Sequence, residues 1–143
     1  MDYRYGSHTV FKIEYHFVWV TKYRYQVLTG DIALSVRELV KQTCESFEIR
    51  ILKGTVSKDH VHILLISAPP TLAPSEIMRR IKGRTSTKLF EKYPELKKGY
   101  WGQHFWARGY FCATVGEMNE EMIKNYIEHH FEPNTNKDFG IEP

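Results

Sequence analysis

The sequence predicts an α+β fold: one antiparallel sheet of four to five strands, with helices packed on one face. Three observations predict it. Apolar and polar residues alternate over residues 9–20. Two β-type runs flank a tight turn at residues 57–59. Stretches with helical apolar spacing follow the first strand, the second pair of strands and the last strand.

In chain order, Phe11, Ile13, Tyr15, Phe17 and Trp19 point one way, and Lys12, Glu14, His16, Val18 and Val20 the other, so Thr9 to Val20 reads as a strand with one strongly apolar face. Thr29, Gly30 and Asp31 punctuate the chain, and Asp31 is expected to cap a helix. Ile32, Val36, Leu39, Val40 and Phe47 give that helix its apolar stripe. Ile49 to Val56 and His60 to Ile66 read as a hairpin joined at Ser57, Lys58 and Asp59. Pro69, Pro70 and Pro74 break the chain, after which Ser75 is expected to cap a second helix that turns Ile77, Ile81 and Leu89 inward. Tyr93 and Pro94 end it, since the residue before proline avoids the helical region. Residues 95–103 read as a loop, and Phe105 to Thr114 as a region holding a fourth strand, interrupted near Gly109. Thr114 and Glu117 have the spacing of a capping box for a last helix, which runs to about Phe131 and is stopped by Pro133. The order β-α-β-β-α-β-α is that of a ferredoxin-like sheet. This fold hosts many activities, so function must come from the residues it carries.

The 143 residues suffice for one domain, 1–143, with a real core. No apolar run is long enough to span a membrane, and the first residues lack the apolar stretch of a secretory leader. Cys44 and Cys112 stand in no paired metal or redox spacing, which points to a reducing cytoplasm. Net charge is only +3, but it is unevenly spread. Met78 to Arg108 holds nine Lys/Arg and two Asp/Glu, whereas Gly116 to Pro143 holds two Lys and seven Asp/Glu. A local basic field of this kind suits a phosphate backbone, and the many aromatic rings suit base stacking. A solvated helix face and an aromatic core would give the same pattern.

The sharpest local feature is Asp59-His60-Val61-His62. On a strand, His60 and His62 project to one face, where two imidazoles can chelate one cation. Two partly buried, hydrogen-bonded histidines would satisfy the same spacing. On the last helix, Tyr126 and His130 lie one turn apart beside the stripe of Ile123, Ile127 and Phe131. A boundary tyrosine is the plainer reading of that position. Together the two features become specific. A cation held by His60, His62 and a third ligand on the last helix can grip a phosphodiester, and the Tyr126 phenol can attack it. Arg80, Arg84 and Lys88 recur every fourth residue on the second helix, with Lys82 and Ser86 nearby, and all five are expected to contact DNA phosphates. Lys22 and Arg24 after the first strand and Arg108 in the aromatic stretch complete that expected surface.

Five segments together resemble one family, the single-tyrosine HUH transposases of small bacterial and archaeal insertion sequences. They are Tyr15 to Arg24 (YHFVWVTKYR), Asp59 to Leu65 (DHVHILL), Lys82 to Ser86 (KGRTS), Trp106 to Phe111 (WARGYF) and Lys124 to Glu128 (KNYIE). The resemblance implies a ferredoxin-like homodimer that excises and inserts single-stranded DNA with Mg²⁺ or Mn²⁺ and recognises hairpins near the element ends. It implies that His60 and His62 are metal ligands and that Tyr126 is the nucleophile, forming a 5′-phosphotyrosine ester. The chain departs from the family pattern at His130, where many relatives carry Gln as third ligand, and at Ala107, where a polar residue is usual. Three nitrogen ligands favour Mn²⁺ or a softer ion over Mg²⁺.

The alternatives are a non-mobile relative or a rolling-circle-type nicking enzyme with the same chemistry, a metallohydrolase using metal-bound water, and a non-catalytic binding module for single-stranded nucleic acid. A nicking enzyme of that type usually carries further domains. The binding module leaves the histidine pair unexplained, and the signature of RNA-recognition domains is absent.

Overall fold

The computed structural model describes residues 3–99, 104–114 and 124–128. Its elements are β1 (Arg4–Tyr5), β2 (Val10–Phe11), β3 (Tyr15–Val20), α1 (Gly30–Ser46), β4 (Arg50–Val56), β5 (His60–Ser67), α2 (Pro74–Lys92) and β6 (Phe111–Thr114). Residues 124–128 are helical. The main sheet has the order β4-β5-β3-β6, and each neighbouring pair is antiparallel.

Directly opposed residues of antiparallel strands share a face. Phe17 and Trp19 of β3 therefore share one face with Ile63 and Val61 of β5. Both long helices pack there: Val36, Val40 and Cys44 of α1 and Ile77, Ile81 and Leu89 of α2 join Phe17, Trp19, Val61 and Ile63 in one buried core. The sheet and its helix-covered face are those the sequence predicts. The opposite face is covered too. Val18 and Val20 are fully buried there, against Ile127, with Ala107, Phe111 and Tyr126 packed beside them. The last helical segment thus lies across the sheet from α1 and α2.

Several element ends differ from expectation. The strand expected from Thr9 to Val20 is cut: Val10 and Phe11 pair with Tyr5 and Arg4 in a separate ribbon, and the main strand starts at Tyr15. Alternation alone does not show which partner a strand takes. Asp31 is not a cap. Thr29 is the N-cap of α1 without a side-chain bond, and Asp31 sits in the first turn, where its charge complements the helix dipole. Ser75 likewise lies inside α2, because Pro74 takes the first helical position, where its missing N–H costs nothing, and Ala73 becomes the N-cap. The loop expected from residue 95 starts as a 3-10 turn, Pro94–Gly99. The fourth strand is interrupted as expected: Gly109 takes φ 80°, a left-handed value that favours glycine, before β6 begins. The capping box at Thr114 and Glu117 and the end of the last helix lie outside the described residues.

Candidate active site

Val20 faces His60 across β3 and β5, and Val18 faces His62. Both histidines therefore lie on the sheet face opposite α1 and α2. Val18 also faces Phe111 of β6. A row His62–Val18–Phe111 thus crosses three strands about 4.8 Å apart. Tyr126 packs on this row, its ring centroid 5.9 Å from that of Phe111. The sheet register and the last helical segment bring His60, His62 and Tyr126 to one side of the molecule. His130, the expected third ligand, lies outside the described residues.

Each histidine of the pair has a partner. Asp59 is nearly buried and joins His60 Nδ1 through Oδ1 at 2.8 Å, while Arg24 donates from Nε to Oδ2 at 2.9 Å. Burial pushes the Asp59 carboxyl up, but the hydrogen bonds from His60 and Arg24, with their charges, outweigh it and hold the group below the usual carboxylate range. An ionised carboxylate only accepts, so His60 donates from Nδ1, and in the neutral ring Nε2 keeps its lone pair. Tyr23 and Arg24 both have left-handed φ values, 58° and 54°. The turn that carries Arg24 to Asp59 is held in place by Thr21, whose Oγ1 donates to the Tyr25 and Asp59 carbonyls. His62 is half-buried; burial first, then the charges of His16, His60 and Lys53, lower its pKa. Its ring is neutral at neutral pH and keeps a nitrogen lone pair. His62 Nε2 stands 3.3 Å from Nδ1 of His16 on β3. The Tyr126 phenol is pushed up to about 12 by burial.

The basic residues singled out in the sequence fall in three places. Lys22, Arg24 and Arg108 gather where β3 ends and β5 begins: Lys22 N–H donates to the Phe105 carbonyl, Thr21 N–H to the Asp59 carbonyl and Ala107 N–H to the Val20 carbonyl. Arg108 is exposed on this rim. The α2 residues are elsewhere. Arg80 bonds Glu76 at 2.8 Å and lies 4.1 Å over the Phe47 ring, Arg84 reaches Gln42 of α1, and Lys88 pairs with Glu91. These three stand on the α1 side of α2, across the sheet from the histidines. Ser86 is half-buried on the same helix.

Lys82 has a different place. Its Nζ donates to the Ala107 carbonyl at 2.8 Å and the Gly109 carbonyl at 2.6 Å, and burial pushes its pKa down to about 8. Trp106 Nε1 donates to Thr85 Oγ1 at 2.8 Å, so α2 clasps the aromatic loop at two points. Lys82→Met is expected to lower unfolding free energy by about 1–3 kcal/mol, because it removes two charge-assisted hydrogen bonds that tie the aromatic loop to α2. Urea unfolding checks this, and an unchanged midpoint would show that the clasp carries no stability. Three features escape a reading of the sequence: the Asp59–Arg24 link, the Lys82 clasp and the His16–His62 contact. Only the register of β3 on β5 reveals the last.

Among the described residues, no helix is long and apolar enough to cross a membrane, and no three His, Cys, Asp or Glu groups already converge on one point as a metal site. The donor chemistry of His60 and His62 nonetheless fits a divalent cation, as two imidazoles on one sheet face.

The family model described as "Transposase IS200 like" matches residues 9–130. The ISDra2 transposase TnpA of Deinococcus radiodurans is 35% identical over 123 residues, 86% of this chain and 87% of its own length. The transposase for insertion sequence element IS200 of Salmonella typhimurium is 37% identical over 126 residues, 88% of this chain and 82% of its own. The crystal structure of a candidate transposase from Deinococcus radiodurans superposes with a TM-score of 0.82 at 31% identity, over 89% of this chain and 97% of that one. A tyrosine transposase solved with a REP hairpin shares the fold, with a TM-score of 0.55 at 14% identity over 90% of this chain and 75% of that one. Fold, motif order and relatives of matching length agree: the chain belongs to the IS200-like transposase family and is an enzyme of DNA transposition.

Proposed function

We propose that the whole chain, 1–143, acts as one HUH endonuclease domain that cuts and rejoins single-stranded DNA at insertion-sequence ends, with Tyr126 as nucleophile. The observation that carries this reading is the packing of Tyr126 on the sheet face that bears His60 and His62. His60 and His62, with His130, would hold Mg²⁺ or Mn²⁺. Such a cation withdraws charge from a non-bridging phosphate oxygen.

The residues do the rest. Tyr126 Oη attacks phosphorus and forms the O–P bond of a 5′-phosphotyrosine ester. The bond from phosphorus to the 3′ oxygen breaks, its electron pair stays on that oxygen, and a proton makes it a 3′ hydroxyl. The phenol gives its own proton to solvent. Attack by a 3′ hydroxyl on the ester reverses the step and rejoins DNA without any other energy source. Lys22, Arg24 and Arg108, on the rim at the start of β5, suit the flanking phosphates. Arg80, Lys82, Arg84, Ser86 and Lys88 suit this role less, since their surroundings are α1 and the aromatic loop. The hairpin in the distant tyrosine transposase supports hairpin-bearing single strands as the DNA partner. A homodimer fits the edge strand β4, whose Leu52 is 54% exposed. The cytoplasm, where DNA and reduced thiols coexist, suits Cys44 and Cys112, both free.

The test is incubation with Mn²⁺ and labelled single-stranded DNA carrying the element end. A protein–DNA adduct that survives denaturant, absent when EDTA removes the metal, is expected. Cutting without an adduct would instead indicate attack by water, and binding without cutting a non-catalytic module. Asp59→Asn is expected to weaken Mn²⁺ binding about 10–100-fold by loosening His60. Titration calorimetry measures it, and unchanged affinity would remove Asp59 from the site.

A further inference from the structure

Tyr23 is a strained residue in the turn bonded to Asp59, and nothing above gives it a role. It sits in the 3-10 turn Lys22–Arg24 with φ 58° and ψ 14°, a left-handed conformation that is costly for a bulky side chain and that glycine adopts without strain. Several bonds hold the turn in that shape. Arg24 N–H donates to the Thr21 carbonyl, Tyr25 N–H to the Lys22 carbonyl and Thr21 Oγ1 to the Tyr25 carbonyl. Arg24 Nε binds the Asp59 carboxylate, which also holds His60. The outcome of this bracing is not a packed ring. Tyr23 is 50% exposed and Tyr25 41%, their centroids 5.4 Å apart and their planes tilted by 54°. Lys22 Nζ lies 5.2 Å from the Tyr23 centroid. A tyrosine held in a strained conformation with half its surface in water gains little from packing, and strain kept by the surrounding structure is a mark of functional positions.

We infer that Tyr23 is a base-stacking residue, whose ring takes an unpaired base flanking the cut phosphate. The inference rests on the proposal that the chain cuts single-stranded DNA. An aromatic face accepts any unpaired base. Lys22 and Arg24 on either side of Tyr23 carry the charge that suits the adjoining phosphates. A duplex keeps its bases stacked on one another and offers no such face, so this ring selects single strands. The chain of bonds from the turn through Arg24 and Asp59 to His60 holds the stacked base and the cut phosphate in one frame.

The test reads stacking directly. The full-length protein is titrated, in EDTA, into single strands of the element end in which one base at a time around the cut site is replaced by 2-aminopurine, whose fluorescence falls on stacking. Tyr23→Gly and Tyr23→Asn both remove the ring, and both residues tolerate the left-handed backbone, so one can fail to fold without ending the test. Tyr23→Phe keeps the ring. The expected result is quenching at one position in the wild type and in Tyr23→Phe, and its loss in Tyr23→Gly and Tyr23→Asn. Affinity should fall roughly five- to a hundredfold in those two variants, while the thermal midpoint of Tyr23→Gly holds or rises because the strain is gone. On a strand with an abasic unit at the quenched position, all four proteins should bind alike. Quenching and affinity that survive loss of the ring would overturn the inference, as would no quenching at any position or an equal loss of affinity on the abasic strand. Adduct formation by the wild type with Mn²⁺ separates the two readings. An adduct without quenching sinks the stacking role alone, and no adduct sinks the cutting reaction itself.

Discussion

Tyr126→Phe is expected to abolish adduct formation and to slow strand cleavage by about 10⁴-fold or more, the scale on which enzymes lose rate when a nucleophile is removed. The change deletes one oxygen. Phenylalanine keeps the ring that packs on Phe111, Val18 and Val20, so the fold and the thermal midpoint should hold. The burial that pushes the phenol up to about 12 makes the pH dependence specific. At that value only about one phenol in ten thousand is ionised at pH 8, and that fraction rises about tenfold per pH unit. Cleavage at saturating DNA should therefore climb with pH through the neutral range, and a bound cation should shift that climb toward lower pH. A rate that is flat with pH, or that survives in Tyr126→Phe, would point to another nucleophile.

His60→Ala and His62→Ala are expected to remove cleavage while leaving most single-stranded DNA binding in place. The two side chains share a sheet face with Tyr126, whereas the phosphate contacts proposed above fall on Lys22, Arg24 and Arg108 at the rim. Filter binding at low salt and cleavage assays on the same preparations separate the two effects. Loss of binding and cleavage together would mean that the histidines hold DNA and not a cation. Full cleavage in either variant would remove that residue from the site.

The parts of the fold that were legible in the sequence are those set by a period. Alternation fixed the face of Val18 and Val20 against that of Phe17 and Trp19, and it placed His60 beside His62. Helical spacing marked Val36 and Val40, and Ile77, Ile81 and Leu89, as core. What stayed hidden depends on which neighbour an element meets. Arg80, Arg84 and Lys88 form a basic row on α2, but Arg80 and Lys88 pair with Glu76 and Glu91 of the same helix, and Arg84 reaches Gln42 of α1. Lys82 reads as one more phosphate contact, yet it is drawn to two loop carbonyls 25 and 27 residues away in sequence. His16 looks like a polar residue on the outer face of a strand until β5 is placed against β3 in register. The helix caps expected at Asp31 and Ser75 each lie two positions earlier, because backbone conformation, and not side-chain bonding, starts both helices.

The most direct measurement is the identity of the residue that becomes covalently joined to DNA. The adduct is trapped with Mn²⁺ and single-stranded substrate, digested with protease and nuclease, and sequenced by tandem mass spectrometry. A nucleotide linked through its 5′ phosphate to the peptide containing residues 124–128, with the mass shift on Tyr126, is the predicted result. Linkage to any other residue, or through a 3′ phosphate, would contradict it.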